Sequence, residues 1–107
     1  MSTVTEFDET SFDTTLASER PTLVDFTAAW CAPCRAIAPH VAAVAERYAG
    51  VLNVGKVDTD EHPRLAEQYG VRAMPTLLLF KGGKVVGQIV GAVPRAKIEA
   101  LVGRALS

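Results

Sequence analysis

Apolar positions along this chain change their period several times, and each change marks an element. Residues 22–27, Thr-Leu-Val-Asp-Phe-Thr, form a short, β-branched run broken by a single acid, Asp25. That length and composition suit a strand buried on both faces, as in a parallel sheet. From Ala32 onward the spacing becomes helical. Ile37, Val41, Val44 and Tyr48 recur at intervals of four, three and four, with helix-favouring alanines between them. Pro33 fits the first turn, where its missing N–H breaks no bond. Pro39 lies inside the pattern and predicts a kink. Gly50 ends the helix.

The remaining segments follow the same logic. A short strand is expected near Val4, then a short helix capped by Thr10 or Ser11, with Phe12 and Leu16 on one face and Arg20-Pro21 as its stop. Residues 51–58 predict a second central strand. Thr59 or Asp60 is the expected cap of a helix that starts at Pro63, carries Leu65, Ala66 and Tyr69, and stops at Gly70. Residues 76–80 and 85–90 read as two strands joined by a tight turn over Lys81-Gly82-Gly83-Lys84. A last helix begins near Pro94 and buries Ile98, Leu101, Val102 and Ala105. The predicted order, β-α-β-α-β-α-β-β-α, is an α/β chain. Right-handed crossovers cover its sheet on both sides, and the closing hairpin makes that sheet mixed.

Composition narrows the picture. The 107 residues make one domain, 1–107, large enough for a real core. Apolar residues reach 49% and the formal net charge is −1, with basic residues scattered. Neither nucleic acid nor an anionic membrane is an expected partner. The polar, acidic start has no basic-then-apolar pattern of a secretory signal, and no stretch approaches a membrane span, so a cytoplasmic protein is expected.

The candidate chemistry sits where the first long strand runs into the first long helix. Trp30-Cys31-Ala32-Pro33-Cys34 holds the only two cysteines. In an unsecreted chain such a pair points to catalysis or metal rather than to a disulfide scaffold. If the helix starts at or just after Cys31, its unpaired N–H groups face that sulfur and favour thiolate, with Arg35 adding a cation. A free cysteine with a pKa of about 8.5 is only roughly 3% thiolate at pH 7, so such help matters. Cys34 lies one turn on, within disulfide reach. Cys31 can then attack a substrate disulfide, and Cys34 can resolve the mixed disulfide. Two other readings stand beside this one: half of a zinc site, completed by His40 and His62, and a purely structural pair. The Asp58-Thr59-Asp60-Glu61 cluster lacks calcium-loop spacing and reads as a solvated, capped helix start.

Several segments together resemble the thioredoxin family over essentially the whole chain. They are Val24-Asp25-Phe26, residues 29–35 (Ala-Trp-Cys-Ala-Pro-Cys-Arg), Lys56-Val57-Asp58, residues 69–76 (Tyr-Gly-Val-Arg-Ala-Met-Pro-Thr) and Val90-Gly91-Ala92. The resemblance implies a thioredoxin fold, with a central mixed sheet of about five strands flanked by about four helices. It implies reduction of protein disulfides by a monomer without a bound cofactor or metal. Electrons would come from NADPH through a flavin-dependent thioredoxin reductase. It gives Asp25 the task of taking the proton of Cys34, with Lys56 as the cation that pairs with Asp25 and tunes it. It makes Pro75 a cis-proline facing the disulfide, leaves the backbone of Met74 open to an extended substrate, and adds Trp30, Ala32, Pro33, Gly91 and Ala92 to the landing surface. A redox-silent module binding through the same groove is the alternative. Ala32 replaces the family's usual glycine, Thr27 a common tryptophan, and Ala73, Met74 and His62 the commoner glycine, isoleucine and asparagine.

Overall fold

The computed structural model describes residues 4–106. Along the chain, strand β1 (Thr5–Glu6), helix α1 (Glu9–Leu16), β2 (Thr22–Thr27), α2 (Ala32–Arg47), β3 (Asn53–Asp58), α3 (Pro63–Gln68), β4 (Thr76–Lys81), β5 (Lys84–Val90) and α4 (Arg95–Leu106) follow one another. The five strands form one sheet in the order β1-β3-β2-β4-β5. β1, β3 and β2 run parallel, whereas β4 and β5 run antiparallel to their neighbours. The mixed sheet expected from the closing hairpin is therefore present.

Alternation along each strand builds two cores. On one face Leu23, Val54, Leu77 and Leu79 pack against Ile37, Val41 and Val44 of α2 and against Ile98, Leu101 and Val102 of α4. On the other, Val24, Phe26, Val57, Leu78 and Phe80 pack against Phe7, Phe12 of α1 and Leu65 of α3. Edge-to-face aromatic contacts knit this second core, Phe12 to Phe80 at 5.7 Å and Tyr69 to Phe80 at 5.2 Å. Two glycines make room for the layers. A Cβ on Gly55 would fall inside the ring of Phe7, and one on Gly87 would meet Leu101 at 2.5 Å.

Four boundaries differ from the sequence expectation. The cap of α1 is Asp8, not Thr10 or Ser11. Its Oδ1 accepts the Ser11 N–H at 2.7 Å while Ser11 Oγ accepts the Asp8 N–H at 2.9 Å, a reciprocal box that starts the helix ahead of both expected caps. That helix also ends at Leu16, ahead of Arg20-Pro21. β3 begins at Asn53, because the N–H groups of Val51 and Leu52 both turn back to the Tyr48 carbonyl. Neither Thr59 nor Asp60 caps α3. His62 holds the N-cap position without a side-chain bond, since Thr59 and Asp60 are engaged elsewhere. The α2 helix continues through Pro39 as one element.

Candidate active site

β2 ends at Thr27, and a four-residue bend, Ala28 to Cys31, delivers the chain to the N-terminus of α2. Cys31 is the N-cap. Its backbone is extended (φ −94°, ψ 110°), and its sulfur accepts the Cys34 N–H at 3.2 Å. Sulfur thus takes the place that an oxygen occupies at an ordinary cap, against the positive end of a sixteen-residue helix. Cys34 stands one turn later with its Cα 5.2 Å from that of Cys31, and the two sulfurs are paired as a disulfide. Both cysteines are buried with Ala28, and Met74 packs on the group. Arg35 is exposed and donates from Nη1 to the Ala29 carbonyl at 2.8 Å, bracing the bend.

The bend faces the start of β4. The Met74–Pro75 peptide is cis. The Met74 carbonyl oxygen lies 3.7 Å from Cys31 Sγ. Gly91, at positive φ (93°), donates its N–H to the Pro75 carbonyl at 2.8 Å, which holds the end of β5 beside this loop. Trp30 is 66% exposed, so it is no core tryptophan. Its indole N–H donates to Asp60 Oδ2 at 2.8 Å, and the ring is held at the surface. Ala32, Pro33 and Ala92 are exposed around the pair. Trp30, Ala32, Pro33, Met74, Pro75, Gly91 and Ala92 therefore converge on one end of the sheet.

Behind the disulfide lies an acid. Alternation puts Asp25 on the same face as Leu23, toward α2, and it is only 4% exposed. Its Oδ1 is buried without a hydrogen-bond partner. Burial raises its carboxyl from the usual 3.8 to about 6, against the lowering pull of Lys56. Lys56 is its register partner on β3, and Glu6 is the register partner of Lys56 on β1. The lysine ammonium sits 3.6 Å from Glu6 Oε1, so one cation stands between two acids and turns to the exposed one. Asp25, Cys34, Lys56 and His62 line a common cleft of about 530 Å³. Water reaching this cleft can exchange protons with Asp25.

Among the described residues, no group of three or more His, Cys, Asp or Glu is arranged to hold a metal. His40 is exposed on α2, and His62 lies across the cleft. The Asp58 to Glu61 segment folds as a turn on Asp58, whose Oδ1 accepts the N–H groups of Asp60 and Glu61 at 2.9 and 3.2 Å.

Three residues of the site escaped sequence reasoning. Asp60 anchors the indole, Thr59 touches the Met74 sulfur at 3.6 Å, and Val90 is an exposed apolar residue at the end of β5 opposite Thr76. Only the pairing of β4 with β5 and the approach of the 58–61 turn to the bend reveal them. Val90 alone carried a local signal, as the last apolar residue before Gly91.

The comparisons with known proteins agree with this geometry. The thioredoxin family model matches residues 3–104. Thioredoxin 1 of Nostoc sp. is 50% identical over 86% of this chain and 86% of the relative. A thioredoxin of Synechocystis sp. is 45% identical over 99% of this chain and all of the relative. The crystal structure of a Malassezia sympodialis thioredoxin superposes with a TM-score of 0.90 at 30% identity, covering 100% of this chain and 94% of that one. With a cysteine pair at disulfide distance on the first turn of α2 and a match along nearly its full length, the chain belongs to the thioredoxin family of thiol–disulfide oxidoreductases.

Proposed function

We propose that this protein reduces protein disulfides through a division of labour in which Cys31 attacks and Cys34 resolves. One observation carries it: Cys31 Sγ is the side-chain cap of α2 and accepts the Cys34 N–H at 3.2 Å. A thiolate on Cys31 gains from both the hydrogen bond and the helix terminus, whereas Cys34, at the third helical position, has no such N–H bond to its sulfur among the described residues. The Cys31 thiolate attacks one sulfur of a substrate disulfide. The substrate S–S bond breaks, one substrate thiolate leaves, and a mixed disulfide forms. Cys34 then gives its proton to Asp25 and attacks Cys31 Sγ, releasing the second substrate thiolate and closing the Cys31–Cys34 disulfide. Asp25 suits that task because its Oδ1 is unpartnered, it shares a cleft with Cys34, and its pKa is raised to about 6.

The substrate lies as an extended segment over the apolar end of the sheet, against Trp30, Met74, Pro75, Gly91 and Ala92, with the Met74 backbone as its partner. Lys56 tunes Asp25 through space rather than by a direct ion pair. The reacting group is the disulfide itself, and thioredoxins need no cofactor. Electrons return from NADPH through a flavin-dependent thioredoxin reductase, the donor expected for this family. A compartment kept reducing is required, and the cytoplasm remains our assignment; the relatives also include an M-type chloroplastic thioredoxin of Chlamydomonas reinhardtii, 47% identical over 94% of this chain. No helix among the described residues is long and apolar enough to cross a membrane.

Insulin reduction by dithiothreitol tests the reading. Catalytic amounts of the protein should shorten the lag before insulin B chain precipitates. A lag equal to that with dithiothreitol alone would leave only a redox-silent binding module.

A further inference from the structure

Met74 is the only methionine among the described residues, and it sits against the reacting sulfurs. Its side chain is half-buried, packed on Ala28, Cys31 and Cys34. Its sulfur lies 3.6 Å from Thr59 Oγ1. Thr59 is itself buried, and the same hydroxyl lies 3.1 Å from the Thr27 carbonyl. A thioether is a weak acceptor, so the single proton of this hydroxyl goes to the carbonyl. A sulfoxide oxygen is a strong acceptor. With Cys31 and Cys34 joined, the described residues hold no free thiol, and Met74 is then their one remaining reduced sulfur.

We propose that Met74 is an oxidative modification site: a peroxide converts its thioether to the sulfoxide, and the sulfoxide weakens docking of disulfide substrates until a thiol-dependent methionine sulfoxide reductase supplies two electrons and the oxygen leaves as water. The sulfur lone pair attacks one peroxide oxygen. An S–O bond forms and the O–O bond breaks. The departing hydroxide takes the proton of the transferred oxygen and leaves as water. Sulfur loses two electrons and the peroxide gains them. The Thr59 hydroxyl then turns from the Thr27 carbonyl to the sulfoxide oxygen and fixes it. A flexible apolar side chain becomes a polar, chiral one at the centre of the apolar landing surface. This inference rests on the docking role proposed above for Met74.

The test uses the full chain in its disulfide form, which protects the cysteines. Hydrogen peroxide is added and removed, and peptides are weighed. The peptide containing Met74 should gain one oxygen. The kcat/KM for insulin reduction should fall about fivefold, about 1 kcal/mol of lost contact. Methionine sulfoxide reductase should restore it. Met74→Leu, whatever its own starting rate, should show the same kcat/KM before and after peroxide, which separates Met74 from Met1 and Trp30. No oxygen on Met74, an unchanged kcat/KM in the oxidised protein, or an equal loss in Met74→Leu would each overturn the inference while the exchange reading stands. An untreated protein that fails to reduce insulin would overturn both.

Discussion

At the scale of single residues, the site depends on groups placed where their chemistry is ordinarily disfavoured. Asp25 is the clearest case. An acid in a buried strand was visible in the sequence, because one charge interrupts an apolar run. Its consequence for stability follows from linkage. With its folded value raised to about 6 from 3.8, the native protein binds a proton that the unfolded chain has released between those values. Stability gained from protonation is therefore complete below 3.8 and is lost as the pH rises through about 6. The ionised carboxylate costs up to about 3 kcal/mol above that range. Asp25→Asn should accordingly raise stability by up to that amount at pH 8 and converge with the parent at pH values below 3.8, read from urea unfolding of the disulfide form. The same substitution should slow resolution of the mixed disulfide and erase a rise in its rate through about pH 6, the range in which Asp25 ionises. A stability gain independent of pH would mean that burial is not the cause. The preference of Lys56 for Glu6 was not legible, since β1 is only two residues long and nothing local marks it as a neighbour of β3.

At the scale of elements, the strand and helix patterns were legible wherever the period was sustained, as in β2, α2, β4 and α4. The caps were not, because capping is decided by competition for polar side chains. Asp8 outcompetes Thr10 and Ser11 because Ser11 can answer it at N3. Thr59 and Asp60 fail to cap α3 because the sheet and Trp30 claim them first. Two substitutions check the layer packing. Gly55→Ala places a methyl in the ring of Phe7 and should cost about 1–3 kcal/mol, seen as a lowered thermal midpoint with retained redox activity. Asp8→Ala removes one half of the α1 box and should lower the midpoint in the same assay. An unaffected midpoint in both would mean that α1 and Phe7 contribute little to the second core.

At the scale of the whole molecule, the sheet has two working faces and one working end. The faces bury α1 and α3 on one side and α2 and α4 on the other. The end gathers the α2 N-terminus, the β4 entry and the β5 exit into one exposed apolar surface. The resemblance named most of its members, but the grouping itself needed the β2–β4–β5 order, which no local pattern contains. The proposed use of this surface predicts a monomer, and sedimentation should give a single species of 11.4 kDa. A stable dimer that covers Trp30 would contradict that use of the surface. The central claim is the direction of the exchange, and trapping tests it most directly. Cys34→Ser should accumulate mixed disulfides with substrate proteins through Cys31, separable on non-reducing gels and released by dithiothreitol, while Cys31→Ser should accumulate none. Mixed disulfides that build up in Cys31→Ser and not in Cys34→Ser would contradict the account.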